Sequence, residues 1–463
     1  MTEQDATTTA AEAGAMRGPI VLTLMVRDEV DIVAAMIEHH LDQGVDRIIA
    51  TDNASVDGTR EVLAEYEALG VLTLLDDSRH EKQQAEVVTA MARRAVEEHG
   101  ASWVINADAD EFWAPVDRSR TLAEVLRELP DRIESLRIPV VNLLGAPAED
   151  GPVLSSLAWR DVRAEDELKA VGLHAQPTAD MLVRGVPGLE IAQGNHFSNL
   201  PVTEAAPEGL GIEVLHVPFR SWTRYERRVR NTGEAYDRSP HLTPSPRHHG
   251  MRDWRWLQGG VLRPFYAARF PTEGESAPAG FEHDTWLAER LAELVGRARR
   301  PELLEPLLAP VARLEDEAAL RERFAIIGPL VTEAERERVQ AADWKGAHDL
   351  AVSQRDELSV DGIRAGERIA QLEAQLAERA ATIQGLEQRL STTQTNLDQL
   401  QAYVAEVLAD RSVRLGLAVS GAASKAIHAV RPPKQETETT LERLQGTKLR
   451  PSRFEVRDDD QEA

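Results

Sequence analysis

The run Ile20-Val-Leu-Thr-Leu-Met-Val26, followed by polar Arg27-Asp28-Glu29 and by helically spaced residues over Val30–Gln43 with Gly44 behind them, decides the fold class. Seven residues, six of them apolar, are too short for a core helix and long enough for a strand buried on both faces. Gly44 is a fitting stop, because many helices close on a left-handed residue. The unit then repeats. Asp46–Thr51 predicts a second strand, and Asp57–Leu69 a second helix closed by Gly70. Val71–Leu75 predicts the third strand, Glu81–His99 a third helix closed by Gly100, and Trp103–Ala107 the fourth strand. Strands alternating with helices of this length imply right-handed βαβ units. The expected class is therefore α/β, a Rossmann-like, mostly parallel sheet flanked by helices and followed by a helical region and a coiled coil.

Beyond Phe112 the pattern is mixed. Thr121–Leu129 and Trp222–Tyr236 predict helices and Ser135–Val141 a strand, while Pro/Gly-rich loops are expected from Gly145 to Glu213. Trp286–Gln340 reads as helical. From Leu358 a heptad emerges, with Ile369, Leu376, Ile383, Leu390, Leu397 and Val404 at one apolar position. Leu372, Leu386, Leu400 and Val407 fall at the other, interrupted by Arg379 and Thr393. This predicts a coiled coil and, through it, a homo-oligomer; a long helix packed on the globular domain is the alternative. Arg411–Lys434 holds five Lys or Arg residues and no acidic ones, so it is a candidate for peripheral contact with an anionic membrane surface, or for a partner-packed helix. The expected division is a disordered 1–18, an α/β domain at 19–283, a helical region at 284–357, a coiled coil at 358–408, a basic amphipathic helix at 409–434 and a disordered tail at 435–463.

Composition excludes several functions. Asp plus Glu outnumber Lys plus Arg by 78 to 53, a formal charge of −25 over 463 residues, which argues against nucleic acid as a partner. There is no cysteine, so thiolate catalysis and Cys-based zinc sites are excluded. No basic start precedes an apolar core near Met1, and no apolar run is long enough to span a bilayer. The expected location is cytoplasmic, reaching at most the inner face of the membrane.

The stretch with the most chemistry is Trp103-Val-Ile-Asn-Ala-Asp-Ala-Asp-Glu-Phe-Trp113. Alternate residues of an extended chain share a side, so Asp108 and Asp110 can converge on one ligand. Two carboxylates at the end of a parallel strand repel each other unless a cation lies between them. Hard oxygen donors of this kind suit Mn²⁺ or Mg²⁺ held jointly with a diphosphate. Phe112 and Trp113 should anchor the loop in the core. Ligands of open α/β sheets bind beyond the carboxyl ends of the strands, where the strand order reverses. An order 3-2-1-4 would put Arg27–Glu29 beside Asp108–Asp110 and the loop Asp52–Asp57 one strand away. In that loop Asn53, Ser55 and Asp57 can meet a nucleobase edge or a ribose, or cap the next helix.

These segments resemble the GT-A fold of family-2-like glycosyltransferases, in the branch with an Arg-Asx-Glu first loop, a D-N-x-S-x-D-G-T second loop and a D-x-D-E-F motif. The residues that carry the resemblance are Arg27-Asp28-Glu29, Asp52-Asn53-Ala54-Ser55-Val56-Asp57-Gly58-Thr59 and Asp108-Ala109-Asp110-Glu111-Phe112. It covers roughly Pro19 to Tyr236. It implies transfer of a sugar from a nucleotide-sugar donor to a saccharide or glycolipid acceptor, with inversion, in cell-surface polysaccharide or glycolipid assembly. By the resemblance Asp52 and Asp57 hold base and ribose, Asp108 and Asp110 hold ribose and the metal-diphosphate, and Gln83 or Gln84 adds a polar contact. Gly194-Asn195-His196 and Leu215-His216 look like later motifs of the branch, making His196 and His216 candidate metal ligands. Lys169, Arg220, Arg224 and Arg228 are cations able to neutralise a departing diphosphate.

An inverting reaction needs a general base, for which Glu111, Glu190 and Glu165-Asp166 are candidates. Two rival classes stay open. A nucleotidyltransferase would follow its first strand with a glycine-rich phosphate loop, and Met25-Val-Arg-Asp-Glu29 has no glycine. A coiled-coil scaffold with a vestigial sugar site would not need Asp108 and Asp110.

Overall fold

The computed structural model describes residues 18–79, 84–192, 194–238, 243–272, 274, 278–360 and 366–409. The expectations for the N-terminal segment, Gln83, the basic helix and the C-terminal tail lie outside the described residues. The chain opens as β1 (Ile20–Val26), α1 (Val33–Asp42), β2 (Arg47–Asp52), α2 (Thr59–Ala68), β3 (Leu72–Asp76), α3 (Gln84–His99) and β4 (Trp103–Ala107). It continues with β5 (Glu111–Pro115), α4 (Leu122–Glu128), β6 (Ser135–Ile138), β7 (Val140–Leu144), β8 (Ala148–Asp150), β9 (Trp159–Asp161), α5 (Glu165–Ala170), β10 (Asp180–Arg184), β11 (Val202–Thr203) and β12 (Ile212–His216). Then come α6 (Trp222–Asp237), α7 (His249–Gln258), α8 (Leu262–Arg269), β13 (Phe281–His283), α9 (Trp286–Leu294), α10 (Pro301–Leu304), β14 (Ala312–Arg313), α11 (Glu317–Val360) and α12 (Gly366–Ala409).

Among the described residues the main sheet has the order β11-β6-β10-β4-β1-β2-β3. Strands β4, β1, β2 and β3 are parallel, and β10 runs antiparallel between β4 and β6. The period-2 alternation of a strand explains why the sequence reads as unbroken apolar runs. Ile20, Leu22, Leu24 and Val26 enter one core with α1 and α2, while Val21 enters a second with Val88, Met91 and Ala95 of α3. Trp103, Ile105 and Ala107 of β4 divide from Val104 in the same way. The result is a sheet covered on both faces, the α/β class the sequence predicts. Gly44 closes α1 at φ +87°, where a Cβ would also stand 2.5 Å from that of Ala123. Only glycine fits both demands.

A second sheet, ordered β13-β9-β7-β12-β5, follows the motif. Its presence corrects the expected loop region from Gly145 to Glu213, which holds β8 to β11, α5 and the start of β12. Strands of two to five residues carry too few side chains to show a period.

Two further expectations change. Leu287, Leu291, Leu294 and Leu304 of α9 and α10 lie inside the first core, so the residues after His283 complete the α/β domain rather than begin a separate one. Residues through Leu390 form one compact unit and those from Ser391 a second. Within the first unit Arg379 donates to the Ala347 carbonyl at 2.9 Å, and Arg389 to Glu337 at 2.6 Å. These pairings run in opposite sequence directions, so this part of α12 lies antiparallel along α11. Leu372, Leu376 and Leu386 are buried there. The seam the heptad predicts for a second chain is thus covered within the chain over this segment. In the second unit the described residues are helical, with Gln394 donating to Asp398 at 3.1 Å. Among the described residues no helix is long and apolar enough to cross a membrane.

Candidate functional site

The strand order 3-2-1-4 places the order reversal between β1 and β4. Beyond their carboxyl ends an open cleft of about 850 Å³, solvent included, is lined by Arg27, Glu29, Asn53, Gln84, Asp108, Asp110, His216 and Arg228.

Asp108-Ala109-Asp110 is a turn between β4 and β5, and it is pinned from behind. The Asp108 N–H donates to Glu111 Oε2 at 2.9 Å, the Glu111 N–H to the Asp108 carbonyl at 3.1 Å, and the Val217 N–H to the Asp110 carbonyl at 2.8 Å. Phe112 and Trp113 are fully buried, the anchor the sequence predicts. The Trp113 backbone is clamped in turn by α1. Its carbonyl lies 2.9 Å from His39 Nε2, and its N–H donates to His40 Nε2 at 3.2 Å.

The first two loops are tied to each other. Asp28 N–H donates to Ser55 Oγ at 3.0 Å, Glu29 N–H to Thr59 Oγ1 at 2.8 Å, and Val56 N–H to Asp28 Oδ1 at 2.9 Å. Asp57 accepts from Val30 N–H, from Thr59 and from Arg224 and Arg227 of α6. Asp52 Oδ2 accepts the Ser55 N–H at 3.1 Å. Three non-glycine residues among those described have positive φ: Asp28 (56°), Ala54 (56°) and Asn195 (62°). All three sit in loops around the cleft. Each such backbone costs about 1 kcal/mol or more, which these cross-links, at about 1 kcal/mol apiece, offset.

The third wall was less legible. Asn195 Nδ2 donates to Asp108 Oδ1 at 3.4 Å, and His196 Nδ1 lies 3.0 Å from Asp180 Oδ1. His216, at the end of β12, sits with Nε2 3.6 Å from Asp110 Oδ2 and Nδ1 3.0 Å from Asn142 Oδ1. Arg228 of α6 reaches to 3.7 Å from Asp110 Oδ2 and keeps an exposed guanidinium.

The site is rich in buried carboxyls. Burial pushes Glu29 up to about 7 against the pull of Arg220, and burial with Asp110 and Asp180 pushes Asp108 up to about 7. Burial also raises Glu111 well above the carboxylate range, with Asp180 beside it. Burial would raise Asp110 too, but His216, Arg220 and Arg228 hold it well below the usual range. Three buried oxygens, Asp52 Oδ1, Asp180 Oδ2 and Asn195 Oδ1, have no donor. A proton kept on Glu111 is the donor available to Asp180, whose own carboxyl burial raises.

These observations fit a divalent cation. Asp108, Asp110 and His216 offer two hard oxygens and an imidazole in one cleft, and a positive charge there would relieve carboxyls that burial now drives toward protonation. Among the described residues no three His, Asp or Glu side chains are already gathered as a coordination shell. Mg²⁺ and Mn²⁺ sites completed by substrate phosphates are built this way, with one or two carboxylates and open positions.

The structure redistributes the sequence candidates. Arg27, Glu29, Asn53, Gln84, Asp108, Asp110 and His216 line the cleft. Asp52, Ser55 and Asp57 instead brace the loops, as the cross-links above show. His196 faces Asp180 rather than the cleft, because its loop turns back at Asn195. Arg220 is buried against Glu29 and Asp31, and Arg228, one turn past Arg224, takes the open place. Lys169 lies on exposed α5, paired with Glu165, the ordinary partner four residues away. Glu111 is behind the turn, and Glu190 pairs with Arg93 at the surface. Asp180, Asn142 and Arg228 belong to the site and lack any local motif.

Residues 22–146, about a quarter of the chain, match the family model for glycosyltransferase family 92. The motifs had suggested family-2-like enzymes. Among solved structures, S. aureus TarS 1-349 is 11% identical with a TM-score of 0.27, and the match covers 69% of this chain and 91% of that one. Glucosyl-3-phosphoglycerate synthase from Mycobacterium tuberculosis, solved with Mn²⁺, UDP-glucose and phosphoglyceric acid, is 19% identical with a TM-score of 0.20. That match covers 38% of this chain and 58% of the synthase. None of the curated protein sequences compared matches the chain.

Proposed function

We propose that the chain is a metal-dependent glycosyltransferase that moves a sugar from a nucleotide-sugar donor to an acceptor hydroxyl. The observation that carries this reading is the convergence of Asp108, Asp110, His216 and Arg228 on one cleft at the reversal of strand order. The family 92 match over residues 22–146, which hold Asp108 and Asp110, agrees with it. Asp108, Asp110 and His216 would hold the cation, which supplies positive charge against the leaving nucleoside diphosphate. Arg228 exchanges its weak contact with Asp110 for phosphate oxygens, as an exposed guanidinium readily does. Asn53, Gln84 and Arg27 line the same cleft and would meet the nucleoside. Arg220 stays fixed, keeping Glu29 and Asp31 paired so that the first loop does not spring open.

The test is thermal unfolding with UDP, GDP and dTDP, each with and without Mn²⁺, on the natural chain and on Asp108→Ala/Asp110→Ala. A ligand at a hundred times its Kd stabilises by about 2.7 kcal/mol, a readily measured shift. Metal-dependent stabilisation lost in the double variant supports the reading. A folded protein that no nucleotide stabilises would return weight to the scaffold, and release of pyrophosphate instead of a nucleoside diphosphate would favour a nucleotidyltransferase.

A further inference from the structure

His216 meets Asp110 across 3.6 Å with its Nε2, and what that nitrogen can do depends on where the ring carries its proton. Three side chains in series answer this. Gln176, in the segment between α5 and β10, points Nε2 at two backbone carbonyls, those of Asp161 at 3.1 Å and Arg163 at 2.9 Å. Carbonyl oxygens only accept, so the Gln176 amide has one orientation; the other would set Oε1 against both. Its Oε1 therefore faces Asn142 and accepts from Asn142 Nδ2 at 3.4 Å. That leaves Asn142 Oδ1 toward His216 Nδ1, at 3.0 Å, where it requires a donor. Asn142 is 3% exposed and is the parallel-strand neighbour of His216 between β7 and β12, so water does not compete for this bond.

We propose that Gln176 and Asn142 are positioning residues that fix His216 as the Nδ1–H tautomer and leave Nε2 bare toward Asp110 and the cleft. In the neutral ring this tautomer sets a bare nitrogen against a carboxylate oxygen, two acceptors without a donor, an arrangement that a cation between them satisfies. Use of Nε2 as a cation ligand rests on the function proposed above; the tautomer does not.

The experiment uses the full chain, without metal, labelled with ¹⁵N at histidine and read at pH 8, where long-range ¹H–¹⁵N spectra distinguish the tautomers. His216→Gln identifies the resonance. His216 is expected as Nδ1–H, shifting toward Nε2–H in Asn142→Leu and remaining Nδ1–H in Asn142→Asp, whose carboxylate still accepts. Affinity for Mn²⁺ alone, followed by electron paramagnetic resonance of the free ion, is expected to fall 10- to 100-fold in Asn142→Leu and to survive in Asn142→Asp, roughly the effect of losing a partner that orients a ligand. An Nε2–H ring in the unsubstituted chain, or an unchanged tautomer in folded Asn142→Leu, overturns the proposal. Tautomers that respond as expected in a chain that binds no Mn²⁺ would uphold the relay and count against the metal-dependent function instead.

Discussion

Among individual residues, charge alone does not identify a phosphate ligand; the deciding question is whether a partner already holds the charge. Arg220 and Lys169 carry the same charge as Arg228, but one is enclosed by Glu29 and Asp31 and the other pairs with Glu165 at the surface. Arg228 has a 3.7 Å contact with Asp110 and a loose one over the Tyr225 ring at 5.6 Å to give up, and it lines the cleft. Arg228→Ala should therefore weaken binding of a nucleoside diphosphate with Mn²⁺ by roughly 10- to 100-fold, as loss of a charge-assisted hydrogen bond does. Lys169→Ala should leave it unchanged. Calorimetric titration of both variants checks the pair, and equal losses would put the diphosphate somewhere other than this cleft. The same comparison shows what the sequence made legible. D-x-D-E-F and the Asp52–Thr59 loop are local, so their place at strand ends follows from the strands before them. Asn142 and Asp180 reach the site through strand pairings of β7 with β12 and of β10 with β4 that no short spacing encodes, and the sequence offers Arg228 as one of four cations without singling it out.

Among elements, the clamp between α1 and β5 gives the fold a dependence on pH. Burial holds His39 down at about 4, from an ordinary 6.5, with its bond to the Trp113 carbonyl only partly opposing this. The unfolded chain thus takes up the proton first. The stability His39 contributes is complete above pH 6.5 and is lost as pH falls toward 4, by about 3 kcal/mol at 1.36 kcal/mol per unit. In His39→Gln the amide can still donate to Trp113 and does not titrate. The stability difference between natural chain and variant, from urea unfolding at pH 7 and pH 4, should move by about that amount against the natural chain. A constant difference would mean that His39 is not buried neutral. Helix α9 makes a second element-level case. Its leucines at 287, 291 and 294 fit a bundle and an α/β core equally well by spacing, which is why the sequence suggested a boundary near 283. Leu291 is fully buried in the first core, so Leu291→Ala should cost about 2–5 kcal/mol and lower the unfolding temperature of the α/β unit itself. A separately melting transition would restore the boundary.

For the whole molecule, the question is what covers the heptad. A heptad states that one helix face is apolar every three and four residues; it does not say which chain supplies the partner. Over residues 369–390 the structure supplies it from α11, with Arg379 and Arg389 reaching Ala347 and Glu337, and with Leu372, Leu376 and Leu386 buried. The two ion-bearing contacts are partly exposed and contribute little, so the hairpin's stability lies in the leucines. An intrachain seam and an intermolecular one differ in their dependence on concentration. If partner chains cover this segment, dissociation accompanies melting and the midpoint rises with protein concentration; if α11 covers it, the midpoint is fixed. Helical signal at 222 nm, followed through thermal unfolding over a hundredfold range of concentration, should show no shift. Leu372→Asp/Leu386→Asp should lower the midpoint by placing two charges in a buried seam, again without concentration dependence. A midpoint that climbs with concentration in the natural chain, and stops climbing in the double variant, would return the seam to a second copy of the chain.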